Sequence, residues 1–384
     1  MTQALRAAAL LLVVSLAGCG SMLDLFSRKV DPAPPAPLVQ FTPSAPAALL
    51  WQTNIGNSGD FAFTPAVVGN SVYAASHDGQ LAKLSADNGR LIWRVATEQR
   101  LSSGVGADSG TAVVATPKGE VLAYSEAGSK LWQAQVSSEV LGPAAISDGV
   151  VVVRTADSRV FGLDAKDGKR LWVYQRAAPS LILRGFGGVA AGRGAAFVGF
   201  PGGKLVALKL NNGAVGWEAS IGLPRGASDL ERIADISSTP VLDARYVYAV
   251  AYQGRVAAVD LSSGSLAWAR DISSDAGLTV DERNVYISDA SGRVHALDKS
   301  SGASVWLQDK LLNRRLSAPQ EFGRWIAVGD LQGYIHWLAK DDGSFAARTA
   351  TDGSLLRAKP QVLHDGLLFQ TRNGGLYAAG IATR

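Results

Sequence analysis

The chain has 384 residues, 47% hydrophobic and 18% charged, with a formal net charge of +4. That composition supplies a large core and excludes disorder, and the small basic excess, with no cluster of Lys or Arg, reads as solubility and not as a nucleic-acid-binding surface. The single cysteine, Cys19, excludes an intrachain disulfide, a zinc cluster and a Cys-pair redox site.

Residues 1–18 read as a lipoprotein signal peptide. Arg6 supplies a short positive region, and Ala7 to Leu16 is an almost unbroken apolar stretch, too short to stay as a membrane span. The run Leu16-Ala17-Gly18-Cys19 resembles the lipobox of bacterial lipoproteins. Cleavage before Cys19 makes it the new N-terminus, and its thiol is the nucleophile that receives the lipid. Gly20 and Ser21 follow. In lipoproteins an Asp there commonly retains the protein at the inner membrane, so its absence points to the outer membrane. Residues 19–48 are then the lipidated cysteine and a tether. Pro32, Pro34, Pro35, Pro37, Pro43 and Pro46 favour extended, unpaired backbone.

Residues 49–384 are one unit repeated eight times. The frame runs Gly79–Trp93, Gly119–Trp132, Ser158–Trp172, Gly203–Trp217, Gly254–Trp268 and Gly292–Trp306. A seventh copy starts at Gly333 and carries Ala347 in place of tryptophan. An eighth starts at Gly374, and the chain ends before its outer strand. Each frame opens on a turn and continues as an alternating apolar strand such as Arg255 to Val259. A hairpin turn such as Asn88-Gly89 or Asp167-Gly168 follows, then a strand bearing the Trp. Two further strands precede each frame, Ala66–Val68 and Ser71–Ala75 in the first copy. Four short antiparallel strands at a period near 40 residues are the pattern of a propeller blade. The fold class is therefore all-β: an eight-bladed β-propeller of four-stranded antiparallel blades. Trp51 has no inner strands before it, and the Gly374 copy has no outer strand after it. The strand around Leu49-Leu50-Trp51 is predicted to complete the C-terminal blade of residues 360–381 and close the ring.

The period breaks in one region. From Trp172 to Trp217 and from Trp217 to Trp268 the steps lengthen to 45 and 51 residues, against 38 to 42 elsewhere. Both insertions fall between an outer strand and the next innermost strand, connections that share one face, so two neighbouring blades carry one composite surface. The first insertion includes Ser180-Leu181-Ile182-Leu183-Arg184-Gly185-Phe186. Its aliphatic run either tucks into its own blade or anchors a partner. The second, Leu223 to Thr239, contains Asp229, Glu231, Arg232 and Asp235. Aliphatic anchors beside mixed charge suit a protein-binding patch; a solvated long loop is the alternative.

The repeat resembles the propeller repeat of PQQ enzymes, with Asp, Gly and Trp at four-residue steps in Asp164-Gly168-Trp172, Asp260-Gly264-Trp268 and Asp298-Gly302-Trp306. In that fold each Trp packs between blades, so the tryptophans are read as structural. Quinone-dependent alcohol dehydrogenases share the repeat, but they commonly need a vicinal cysteine pair and a calcium held by Glu, Asn and Asp. Here the one cysteine is assigned to lipid, and nearly all residues are spent on minimal blades. His295 and His336 sit at equivalent repeat positions and read as strand side chains, not a catalytic pair. The glycine-rich stretch Gly185 to Gly194 opens a strand, so it is no dinucleotide site. No enzyme activity and no cofactor are expected.

Lipobox, proline tether, eight blades, the Ser180–Gly185 segment and the Asp229–Pro240 loop together resemble the BamB family, lipoprotein subunits of the outer-membrane β-barrel assembly machinery. The resemblance spans essentially the mature chain. It implies a non-catalytic scaffold, monomeric within a hetero-complex, that faces the periplasm from the outer membrane. It also implies that these two loops dock on the periplasmic POTRA domains of the barrel subunit BamA. Leu181, Leu183, Arg184 and Asp235 carry over as contacts, with Asp229 in the same loop. Asp235 either pairs with a partner cation or braces its loop from within. Ser237 stands where relatives often carry a second acid. Direct contact with unfolded outer-membrane protein clients, a quinone-dependent oxidoreductase, and a scaffold for another envelope partner stay open as alternatives.

Overall fold

Eight four-stranded antiparallel sheets follow one another along the chain in a computed structural model that describes residues 33–177 and 179–382. The first blade runs from its innermost strand outward as Ala66–Val68, Ser71–Ala75, Gln80–Ser85 and Leu91–Ala96. The next six repeat that order. The eighth takes Gln361–Val362, Leu367–Gln370 and Gly375–Ile381 from the C-terminus and Ala47–Asn54 from the N-terminus. Ala47 pairs with Ile381 and Asn54 with Gly375. The predicted propeller and its closing strand are both present.

The middle two strands of a blade are buried along their length, and the outer strand alternates or is exposed. The cause is geometric: neighbouring blades cover both faces of the middle strands. Each hydrophobic cluster accordingly draws on two consecutive blades. Val113, Val121 and Trp132 of the second pack with Val151, Val153 and Phe161 of the third. At the closure, Trp51, Leu368 and Leu376 of the eighth pack with Val72, Ala74 and Ala82 of the first. The ring is sealed by the same apolar burial on both sides of its chain break.

The repeated tryptophans lock blade to blade. Trp132 lies on Gly168 of the following blade, where a Cβ would come within 2.6 Å of the ring. Its indole N–H donates to the Ala165 carbonyl at 2.8 Å. Trp172 does the same with Gly213 and Leu210, and Trp268 with Gly302 and Lys299. The hairpin glycine is thus required twice over: it adopts positive φ, +73° at Gly168, and it leaves room for the ring. Asp298 completes the turn by accepting the N–H groups of Ser300 and Ser301 and both their hydroxyls, which hold its carboxyl down at about 2.

At the seventh position, where Ala347 replaces tryptophan, the lock comes from another strand. Trp325, which opens the second strand of that blade, donates its indole N–H to the Ala382 carbonyl at 3.0 Å. Ala382 directly follows the third strand of its blade, as Ala165 and Lys299 follow theirs. The eighth blade has no hairpin to its outer strand, because that strand is the N-terminus. A Trp at 347 would find no hairpin glycine to cover.

The expectation of an unpaired tether up to residue 48 is corrected at its C-terminal end. Residues 36–46 run along the seventh blade as a strap. The Ala36 N–H donates to Leu312 O and the Ser44 N–H to Ala346 O. Phe41 stacks on Phe345 at 5.3 Å, with the Arg348 guanidinium 5.1 Å from the Phe41 ring. Arg348 also donates to Val39 O at 3.0 Å. Beneath the strap lies a buried ionic cluster: Arg314 donates to Asp330 and to Ala36 O, each at 2.7 Å, and His336 pairs with Asp330 at 2.8 Å. The prolines disfavour regular secondary structure, yet they leave carbonyls and apolar surface free for side chains of the blade. The signal peptide and Cys19 lie outside the described residues.

Candidate functional site

The two enlarged connections meet. The first leaves the outer strand Arg170–Gln175 and the second leaves Val215–Ser220, on adjacent blades. The Gly187 N–H donates to Ser237 O at 2.7 Å, the Gly188 N–H to Thr239 Oγ1 at 2.7 Å, and Ser180 Oγ to the Asp229 carboxylate at 3.3 Å. A side chain at Gly185 would collide with Ser237, so the glycine is what lets the backbones close. The predicted composite surface exists as one hydrogen-bonded unit.

Its members have different jobs. Leu181 is 43% exposed, while Ile182 and Leu183 are half-buried. The aliphatic run therefore does both things its sequence allowed: it tucks in at Leu183 and presents Leu181. Arg184 is exposed and pairs with Glu139 at 3.1 Å, its guanidinium 5.0 Å from the Phe61 ring and 5.9 Å from that of Phe186. Asp229 is exposed. Asp235 is only 3% exposed. Its carboxylate accepts the Leu183 N–H at 2.7 Å and the Gly202 N–H at 3.0 Å. Of the two roles left open for Asp235, the structure shows the internal one: both oxygens are engaged inside, and it braces one loop against the other. Burial brings the nearby Arg154 guanidinium down to about 10, with Asp235 pulling the other way.

Two residues of the surface were missed in the sequence, Leu223 and Leu230, which is 63% exposed. The available signal was a leucine set between Asp229 and Glu231 in an insertion. Glu231 shapes that tip by accepting the Ser228 and Ala227 N–H groups, which hold its carboxyl below the usual range. Other exposed aliphatics, such as Leu91, Leu131 and Leu171, recur on the outer strand of successive blades. They belong to the repeat and single out no site.

His295 and His336 are strand side chains, as expected. His295 pairs with Asp289 and His336 with Asp330, at equivalent positions of successive blades. Among the described residues, no group of three or more His, Cys, Asp or Glu is placed to hold a metal ion. The inter-blade connections converge on the mouth of the central channel, a cavity of about 420 Å³ lined by Leu183, Phe186, Arg315, Arg357 and Lys359 among others. Burial brings the Lys359 ammonium down to about 8.

Comparison with known proteins agrees with this architecture. The family profile described as outer membrane protein assembly factor BamB matches residues 77–308. The outer membrane protein assembly factor BamB of Nitrosomonas eutropha is 46% identical over 388 residues, covering 98% of this chain and 95% of the relative. The crystal structure of BamB from Moraxella catarrhalis superposes with a TM-score of 0.81 at 28% identity, over 87% of this chain and all of that one. The quinohemoprotein alcohol dehydrogenase from Comamonas testosteroni reaches a TM-score of 0.69 at 13% identity, over 88% of this chain and 76% of its own, a likeness of fold alone. The resemblance read from lipobox, blades and loops thus holds along nearly the whole chain, which belongs to the BamB family of non-catalytic outer-membrane protein assembly factors.

Proposed function

We propose that this protein is a scaffold of the outer-membrane β-barrel assembly machinery, held to the periplasmic side of the outer membrane by a lipid on Cys19. Its two enlarged loops bind the periplasmic POTRA domains of the barrel subunit BamA and so assist folding and insertion of outer-membrane proteins. The observation that carries the reading is the bracing of Leu183 by Asp235, which turns two insertions into one surface of fixed shape. Leu181, Leu223 and Leu230 supply exposed apolar area, and Arg184, Asp229 and Arg232 supply a polar rim. The strap supports the same reading. Ala36 meets the propeller beside Leu312, in an inter-blade connection on the face that carries the loops. Sixteen residues lie between it and Cys19, a reach of at most about 60 Å.

The test is a pull-down of the barrel subunit's periplasmic domains by wild type and by a Leu183→Ala, Arg184→Ala double variant, with thermal melts alongside. A loss of about tenfold or more in affinity is expected with the fold retained. Unchanged binding would place the interface elsewhere on the propeller, and lost binding with a large fall in Tm would make these residues structural.

A further inference from the structure

Beside the docking loops, the channel mouth gathers positive charge that the protein does not neutralise. Arg184, Arg315, Arg357 and Lys359 line the cavity against two carboxylates, Asp275 and Asp289. Arg184 is paired with Glu139, and Asp289 with His295 and Arg293. Among the described residues, Arg315 and Arg357 have neither a salt bridge nor a hydrogen bond. Lys359 donates only to the Leu278 carbonyl, at 3.3 Å. One carboxylate, Asp275, is thus left to face three cations.

The arrangement is held in place. The Arg357 guanidinium lies 5.2 Å from the Phe186 ring, which Arg184 also approaches. Aromatic faces fix guanidinium planes and leave their N–H edges free to donate. Arg315 reaches the mouth from a turn in which it and Asn313 both take positive φ, +47° and +59°. Backbone of that kind in non-glycine residues is costly and concentrates at functional positions. Arg315 and Arg357 also line a second, smaller cavity with Phe61 and Arg372, so they stand on the ridge between two openings.

We propose that the channel mouth receives an acidic segment of a protein partner, whose carboxylates lie between Arg315 and Arg357 and reach toward Lys359. Two forked guanidinium groups suit carboxylates in bidentate contact. Phe61, Phe186 and Leu355 offer apolar surface to the residues flanking each acid. The cavity volume falls within the range of sites that enclose a few side chains. The choice of a protein occupant rests on the reading that this face docks a protein.

The experiment is fluorescence anisotropy with a labelled peptide of alternating Glu and Leu, titrated with the full-length lipid-free protein. Control arms are the same peptide with Gln for Glu, and inorganic phosphate as competitor. Saturable binding of the Glu peptide alone is expected. It should weaken about tenfold or more in an Arg315→Gln, Arg357→Gln double variant, with an unchanged melting temperature because both side chains are exposed. Equal binding of the Gln peptide, or an undiminished affinity in the double variant, would overturn the proposal. Displacement by phosphate at low millimolar concentration would replace the acidic segment with a bare oxyanion. The assay contains no barrel subunit, so a failed POTRA pull-down beside a positive peptide result rejects the docking partner and keeps the site. The converse pair of results does the reverse.

Discussion

Asp235 and Leu183, 52 positions apart in sequence, are joined by a 2.7 Å hydrogen bond from the Leu183 N–H to the Asp235 carboxylate. The second carboxylate oxygen accepts the Gly202 N–H. One buried side chain therefore sets the position of the first loop against the second.

Asp235→Ala should leave two half-buried backbone donors without their acceptor, at a cost of up to about 1–3 kcal/mol for each. The expected outcome is a lower Tm, faster hydrogen exchange at Leu183 and weaker binding of the POTRA domains, although residue 235 is itself only 3% exposed. Asp235→Asn, which keeps one acceptor oxygen, should fall between. A variant that loses binding with exchange at Leu183 unchanged would argue instead for a direct contact.

The tryptophan lock predicts a graded effect of adding one methyl group. Gly168→Ala must meet both a positive φ and the Trp132 ring, whereas Gly149→Ala has a φ of +76° and nothing within 4 Å. The Gly149 variant should cost about 1 kcal/mol for its backbone alone. The Gly168 variant should cost a further 1–3 kcal/mol from overpacking. Denaturant melts of the two proteins measure the difference, and equal losses would remove the ring from the account.

The ionic cluster under the strap should make the fold acid-sensitive. Burial holds the His336 imidazole below its ordinary value near 6.5, with Asp330 opposing and the Arg348 and Arg314 charges adding to the depression. His336 Nδ1 accepts from Arg348 Nε at 3.3 Å, an arrangement that needs the neutral ring. Below about pH 6.5 the unfolded chain binds a proton here that the folded chain does not, so stability falls as pH drops through that region. Asp330 works in the same direction at lower pH. Burial opposes its charge, but His336, the Tyr334 N–H and Arg314 hold it below its ordinary value of 3.8. Its contribution is present above that value and is lost as pH falls through the folded one. Tm should therefore decline from pH 7 to 5, and His336→Gln should flatten that slope. The same slope in the variant would assign the acid sensitivity to other groups.

Cys19→Ala should abolish acylation. Metabolic labelling with a fatty acid should mark the wild type and not the variant, and the variant should appear in the soluble periplasmic fraction. Label on the variant would reject the lipobox.

The sequence by itself determined the blade count, the strand order, the closing strand and the site of the two insertions. Each of these depends on signals repeated at short range: alternating apolar residues, an Asx-Gly hairpin, a Trp at constant spacing. Repetition makes such signals legible, and interruption of the period marks what is added. Even Ala347 had its reason in the chain order, since a blade closed by two termini has no hairpin glycine for a tryptophan to cover. Tertiary structure alone decided the rest. Asp235 looks like a loop acid until two backbone N–H groups from separate segments are seen to need it. Trp325 lies outside the repeat frame and finds Ala382 only because the ring closes. Residues 36–46 read as a tether because prolines disfavour regular pairing, but the strap is held by side chains of the seventh blade some 300 positions away. Arg315, Arg357 and Lys359 share no spacing that announces a site. They converge because every inter-blade connection must pass the axis, and a ring brings to one point residues that the chain keeps apart.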